Sequence, residues 1–343
     1  MIHILEKYSK AFGVSGHEED IRRRIEESVR DHVDSLSTDF MGNLYAHKPC
    51  GRKNAPHLLL VAHMDEVGLL INGVESNGML RFVPVGGVDP RLLVSKRVIL
   101  GKERVPGVIG AKPIHLQSRD EWKSPIPLSG LYIDIGASDE KEAAAKVPPG
   151  TAGTFHTFFE AQEDVVFGKA FDDRAGCALI TELLMTEEDE SYPVDITAVF
   201  TVQEEVGLRG ASLLAERVRP DFVIAFEGTT AGDVPRDDYA SPSTEMRKGP
   251  AISFMDRTAI GSPRLIEHLK KTAEKNKIPF QMKKTVSGGT DIGVIHTKGG
   301  IPSVVVSVPV RYIHAPRGIL AVEDYKNTIR LAKAALMNFK EVL

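Results

Sequence analysis

The 343-residue chain has little cysteine: Cys50 and Cys177 are too few for a disulfide framework. It also lacks a charge of one sign. With 43 Lys+Arg against 47 Asp+Glu the formal net charge is −4, which argues against a nucleic-acid footprint or a polybasic membrane patch. No apolar run approaches the roughly 20 residues a membrane helix needs. The opening Met1-Ile2-His3-Ile4-Leu5-Glu6-Lys7 has no apolar core of the secretory kind. These absences predict a soluble cytoplasmic protein with neither nucleic acid nor membrane as partner. H-E-x-x-H, Walker A and G-x-S-x-G patterns are missing too, against zincins, P-loop enzymes and α/β-hydrolases. What is present is ordinary globular material, 42% hydrophobic and 26% charged, and the length suggests about two domains.

Residues 1 to 35 read as helical. Ile21, Ile25 and Val29 recur at helical spacing, and Ser15-Gly16-His17-Glu18 has the form of a capping box. Tyr325, Ile329, Ala332, Leu336 and Phe339 form one stripe of a later helix, and Ser262-Pro263 opens another in the order cap then proline. Between these lie short, almost wholly apolar runs: Leu58 to Ala62, Ile196 to Val202, Phe222 to Phe226 and Val304 to Val308. Continuous apolarity predicts strands buried on both faces of an α/β sheet. The stretch from about Ile71 to Glu163 differs, being rich in Gly and Pro with short β-like pieces and one brief helical candidate near Ser138. It predicts an inserted β domain over 71–163, with 1–70 and 164–343 forming one discontinuous α/β domain.

In an open α/β sheet, ligands bind beyond the carboxyl ends of the strands. Those ends carry His63-Met64-Asp65-Glu66, Gln203-Glu204-Glu205, Glu227-Gly228, His314-Ala315 and, after the run Val165 to Phe171, Asp172-Asp173-Arg174. Singly, each has a plain explanation: a structural histidine, a solvated Glu-Glu pair, an aspartate capping the following helix. Together, two histidines and at least three carboxylates are the inventory of a site for two divalent metals, with zinc or cobalt suiting the donors. Carboxylates packed this way repel one another unless cations intervene. Adjacent glutamates allow one to bind metal while its neighbour takes a proton from the activated water. Asp65, two residues after His63 in an extended chain, is placed to orient the imidazole. The chemistry implied is metal-assisted hydrolysis.

The sequence resembles the tetrahedral aminopeptidases, which include glutamyl and deblocking aminopeptidases and relatives often labelled endoglucanases. The resemblance rests on Phe12-Gly13-Val14-Ser15-Gly16, Ala62-His63-Met64-Asp65-Glu66-Val67-Gly68, Lys169-Ala170-Phe171-Asp172-Asp173-Arg174, Val202-Gln203-Glu204-Glu205-Val206-Gly207 and Arg311-Tyr312-Ile313-His314. It implies a zinc-exopeptidase-like α/β/α sandwich with a small β-barrel-like insertion used for dimerisation, and a tetrahedral homododecamer. It further implies that Asp172 bridges two metals, that His63 and Glu227 complete one site and Glu205 and His314 the other, that Glu204 is the general base and that Asp65 orients His63. Glu227 stands where many relatives carry the shorter Asp, and Asp173, where others have Asn, is assigned no metal. The implied reaction is removal of N-terminal residues from short peptides. The alternatives are glycoside hydrolysis, which typically needs two opposed carboxylates and no histidine-rich cluster, and a noncatalytic metal-stabilised scaffold. Ser287-Gly288-Gly289-Thr290-Asp291 is read either as a turn that approaches substrate or as a tight connection. Cys177 is read as a buried structural thiol and Trp122 as an interface marker.

Overall fold

The uninterrupted apolar runs become neighbouring strands of one sheet. In the computed structural model, which describes residues 1–186, 192–235 and 242–342, strands Asp195–Thr201, His57–His63, Phe222–Thr230 and Ser303–Arg311 lie side by side in that order and pair parallel. Their carboxyl ends therefore share one edge. Gly318–Ala321 pairs antiparallel with Ser303–Arg311 and with Val165–Gly168. Two reversals restore direction, so Val165–Gly168 also delivers its end, and then Asp172, to that edge.

Alternation along each strand explains the apolarity. Leu58, Leu60 and Ala62 face a core shared with helices Ile2–Ser9, Glu19–Val29, Phe171–Leu184, Pro263–Lys275 and Val322–Met337. Leu59 and Val61 face a second core with Leu214 and with Ile292 and Ile295 of helix Asp291–Gly299. Both faces are dry, so neither set of positions can be polar. Among the described residues no helix is long and apolar enough to cross a membrane.

Several local expectations change. The N-terminal stretch read as helical holds two helices, Ile2–Ser9 and Glu19–Val29, with a non-helical break between them. At the break, a Cβ on Gly13 would sit 2.6 Å from Arg174 Nη2, so only glycine fits. The capping box is not formed: helix Glu19–Val29 begins without a side-chain cap bond. Ser15 Oγ instead donates to Asp65 Oδ2 at 2.6 Å, and Glu18 Oε1 accepts from the amides of Gly16 and Gln203. Both side chains are drawn to stronger partners outside the helix. Strand Phe222–Thr230 runs past Phe226, so Glu227 lies within the strand rather than after it. Phe339 follows the end of helix Val322–Met337 but is fully buried all the same.

Directly after the His63 turn, the chain enters a closed six-stranded barrel. Its strands, in spatial order, are Gly68–Val74, Leu80–Val85, Leu131–Asp134, Val105–Ala111, Arg97–Leu100 and Ala152–Phe155. Closure removes the exposed edges, and Leu69, Ile71, Leu80, Val98, Ile109 and Ile133 fill a core of its own. Glu160–Ala161 is already back in the large sheet, paired with Val165–Gly168.

The junction between barrel and sheet is tied by a buried charge cluster. Lys169 Nζ lies 2.6 Å from both carboxylate oxygens of Glu66, and Arg174 Nη2 is 3.4 Å from Glu66 Oε1. Two cations share one carboxylate, and Arg174 uses its remaining donors on the carbonyls of Met64, Tyr8 and Gly13. Burial pushes the Lys169 ammonium down to about 8 against the opposing pull of Glu66. Removing the shared anion strands both cations out of water. Glu66→Ala is therefore expected to lower stability by about 3–5 kcal/mol in urea titration; a loss below about 1 kcal/mol would show that the cations find other partners.

Candidate active site

His63 ends its strand, 1% exposed, and its two nitrogens face different groups. Nδ1 lies 3.2 Å from the Asp65 carbonyl and 3.4 Å from Asp65 Oδ1. Nε2 points into the site, 3.3 Å from Asp172 Oδ1, 3.6 Å from Glu227 Oε2 and 3.9 Å from Glu204 Oε2. His314 Nε2 lies 3.2 Å from Asp172 Oδ2 and 3.2 Å from Glu205 Oε1. Asp172 thus presents one oxygen to each imidazole. All seven residues singled out in the sequence come together at the sheet edge.

Local chain geometry makes this crowding possible. A Cβ on Gly228 would sit 2.9 Å from the Cα of Asp172, so the strand carrying Glu227 approaches Asp172 only because residue 228 is glycine. Asp173 Oδ1 accepts the Gly176 amide at 2.9 Å and Oδ2 accepts the His63 amide at 3.3 Å. It also lies within ligand reach of His63 and Glu227. Its two bonds to amides explain its place: it fastens the start of the helix to His63. Asp65 is engaged on every side, accepting from Ser15 Oγ and from the amides of Glu204 (2.9 Å) and Glu205 (3.1 Å).

The electrostatics follow from burial and from like charges in contact. Burial pushes the carboxyls of Glu204, Glu205 and Glu227 up, and neighbouring carboxylates add to the rise. Burial alone would lower His63, but Glu204, Asp172, Asp65 and Glu227 outweigh it and lift the imidazole well above its usual value. His314 is likewise desolvated, yet Asp172 and Glu205 push it up to about 11. Burial opposes ionisation of Asp172, but hydrogen bonds from His314 and His63 hold it below the usual carboxylate range. Positive charge is thus strongly favoured here. His63, Asp172 and Glu205 lie within ligand reach of one another, as do His63, Asp173 and Glu227. Imidazole and carboxylate donors so placed could hold a divalent cation.

The cluster forms one side of an open cavity of about 580 Å³, and Arg257, Thr258, Lys283 and Ser287 to Thr290 line the rest. The glycine-rich turn therefore borders the site. Asp291 lies buried beneath it and accepts from Thr201 Oγ1 at 2.5 Å. Cys177 is fully buried and donates to the His63 carbonyl at 3.1 Å, as a structural thiol does. Trp122 is exposed on the barrel. Sequence reasoning did not find Ser15, Glu18 or Asn43 as supports of the site. The first two carried the signature of a helix cap, and Asn43 carried no signal.

A zinc-exopeptidase-like α/β/α sandwich with an inserted barrel is the class that this fold and site define. A family model described as M42 glutamyl aminopeptidase matches residues 42–331, and the chain belongs to that family. It is 37% identical over 337 residues to a putative aminopeptidase of Acetivibrio thermocellus, covering 98% of each chain. It is similar in structure to the TET aminopeptidase from the marine sediment archaeon Thaumarchaeota archaeon SCGC AB-539-E09, with a TM-score of 0.94 and 33% identity over 99% of this chain and 97% of that one. A structure of the Pyrococcus horikoshii TET1 peptidase, described as assembling into a tetrahedron or a large octahedral shell, matches with a TM-score of 0.86 and 35% identity over 98% of each chain. The protein is an aminopeptidase, a peptide hydrolase of a metallopeptidase family.

Gly228 offers a direct test of the geometry. Gly228→Ala forces a methyl group against the Asp172 backbone and is expected to lower kcat/KM for aminoacyl substrates by about ten- to a hundredfold with an unchanged circular dichroism spectrum. Wild-type activity in this variant would show that the two strands part without consequence.

Proposed function

We propose that the protein removes N-terminal residues from short peptides at a site for two divalent ions, zinc or cobalt. In this reading Asp172 bridges the ions, His63 and Glu227 complete one site, and Glu205 and His314 the other. The observation that carries it is the division of Asp172, with Oδ1 3.3 Å from His63 Nε2 and Oδ2 3.2 Å from His314 Nε2. When bound, the ions would supply Lewis acidity to the scissile carbonyl and acidify water. Glu204 is the general base, holding the proton and passing it to the leaving amine. Its Oε2 lies 3.9 Å from His63 Nε2, beside the cluster, while its neighbour Glu205 pairs with His314. Asp65 fixes the ring of His63 through Nδ1, leaving Nε2 toward the cluster. The cavity of about 580 Å³ receives the peptide's N-terminal residue.

Two substitutions separate base from ligand. Glu204→Gln is expected to lower turnover by about 10²- to 10⁴-fold while metal content by elemental analysis stays near wild type. Loss of metal along with activity would remove Glu204 from the role of base. Asp172→Ala should lose metal, and retention of both ions would contradict the bridge.

We further propose self-association through the barrel into dimers and then a tetrahedral homododecamer. The described assembly of the Pyrococcus horikoshii relative supports this, as do Ile114, Leu116 and Trp122, which stand 66%, 62% and 57% exposed between the barrel strands. Light scattering should find a mass far above 37.5 kDa; a monomer at micromolar concentration would sink the assembly.

A further inference from the structure

In the turn that carries Glu204 the carbonyls of Val202, Gln203 and Glu204 accept from the amides of residues 207 to 210, while its own amides are held by side chains from elsewhere in the chain. Past the strand end at Thr201, each of the next amides donates to a side-chain oxygen. Val202 bonds Asn43 Oδ1 at 3.0 Å, Gln203 bonds Glu18 Oε1 at 3.1 Å, Glu204 bonds Asp65 Oδ1 at 2.9 Å and Glu205 bonds Asp65 Oδ2 at 3.1 Å. Gln203 is also in the left-handed region, at φ +56°, though it is not glycine. Such a residue relaxes to an ordinary conformation unless the surroundings over-determine it. The anchor on its own amide is Glu18.

Glu18 is 5% exposed and sits at the entry to helix Glu19–Val29 without capping it. Its Oε1 also accepts the Gly16 amide at 2.7 Å, which locks the carboxylate in place. Glu18 also lines a separate cavity of about 720 Å³ between this helix and the barrel loop Gly101 to Arg104. Glu18 does not border the cavity that holds the carboxylate cluster. Its bond into the turn is to the amide of Gln203, the residue preceding Glu204.

We infer that Glu18 is a positioning residue for Glu204, fixing the left-handed turn at Gln203 so that the base points into the site. The inference rests on Glu204 being the base. What matters is the reach of the acceptor: the carboxylate must span from the helix entry to the Gln203 amide. An amide oxygen at the same reach serves equally, whereas a side chain one methylene shorter does not.

The test measures kcat, KM, metal content and melting temperature for Glu18→Gln, Glu18→Asp and Glu18→Ala on an aminoacyl chromogenic substrate, with Glu204→Gln alongside. Glu18→Gln is expected to keep kcat within about twofold, and Glu18→Asp and Glu18→Ala to lose about tenfold or more in kcat with KM and metal content within about twofold. If Glu18→Ala does not fold, the comparison of Gln with Asp decides. Wild-type kcat in Glu18→Asp, equal losses in the Gln and Asp variants, or losses that follow metal content overturn the positioning role. An active Glu204→Gln enzyme instead overturns the reading of the base, independently of Glu18.

Discussion

Crowding of like charge is the constraint from which the rest of the structure follows. Asp172, Glu204, Glu205 and Glu227, all largely buried, meet around His63 and His314 at the side of the open cavity, with nitrogen–oxygen distances of 3.2 to 3.9 Å. In a low dielectric such groups resist one another strongly, and only positive charge relieves them. A flexible loop would let them drift apart. The chain instead mounts them at or beside the ends of strands that share one direction and one edge, backed by helices on both faces.

The acids near this edge divide into two kinds. Asp65 and Asp173 are taken up by backbone amides: Asp65 by those of Glu204 and Glu205, Asp173 by those of His63 and Gly176. They behave as internal struts, joining turns that are far apart in sequence. The others have few such partners and turn their oxygens toward the imidazoles and the cavity. Glu66, a little further along, is a strut of another sort, since its partners are the buried cations Lys169 and Arg174. The turns after His63, around Asp172 and at Glu204 are thus braced from behind by hydrogen bonds or ion pairs.

How much of this could be read from the sequence depends on whether a feature leaves a local trace. Strands covered on both faces do, because Leu58 to Ala62 and Val304 to Val308 must be apolar at every position. Residues after such strands are visible for the same reason, which is why His63, Asp172, Glu204, Glu205 and His314 could be named. Glu227 was found by its place beside an apolar run, although the strand continues through it. The closure of the barrel left no such mark, because pairing between Leu69 and Gly153 joins residues far apart in the chain. Ser15 and Glu18 were misread because the pattern of a helix cap and the pattern of a long-range donor followed by a long-range acceptor are the same four letters. A bond from Glu18 to an amide 185 residues away has no periodicity to betray it.

The barrel lies in the chain between His63 and Asp172, and the other residues of the cluster are spread as far as His314. During synthesis these residues leave the ribosome in that order, and a site made from all of them has no partial form. The growing polypeptide first completes the barrel, a unit with its own core, and only much later the last central strand. Until residue 314 has emerged, the nascent chain cannot assemble the full cluster of acids and histidines at the sheet edge. Timing is thus written into the topology: the cluster is completed late, after most of the protein that surrounds it already exists.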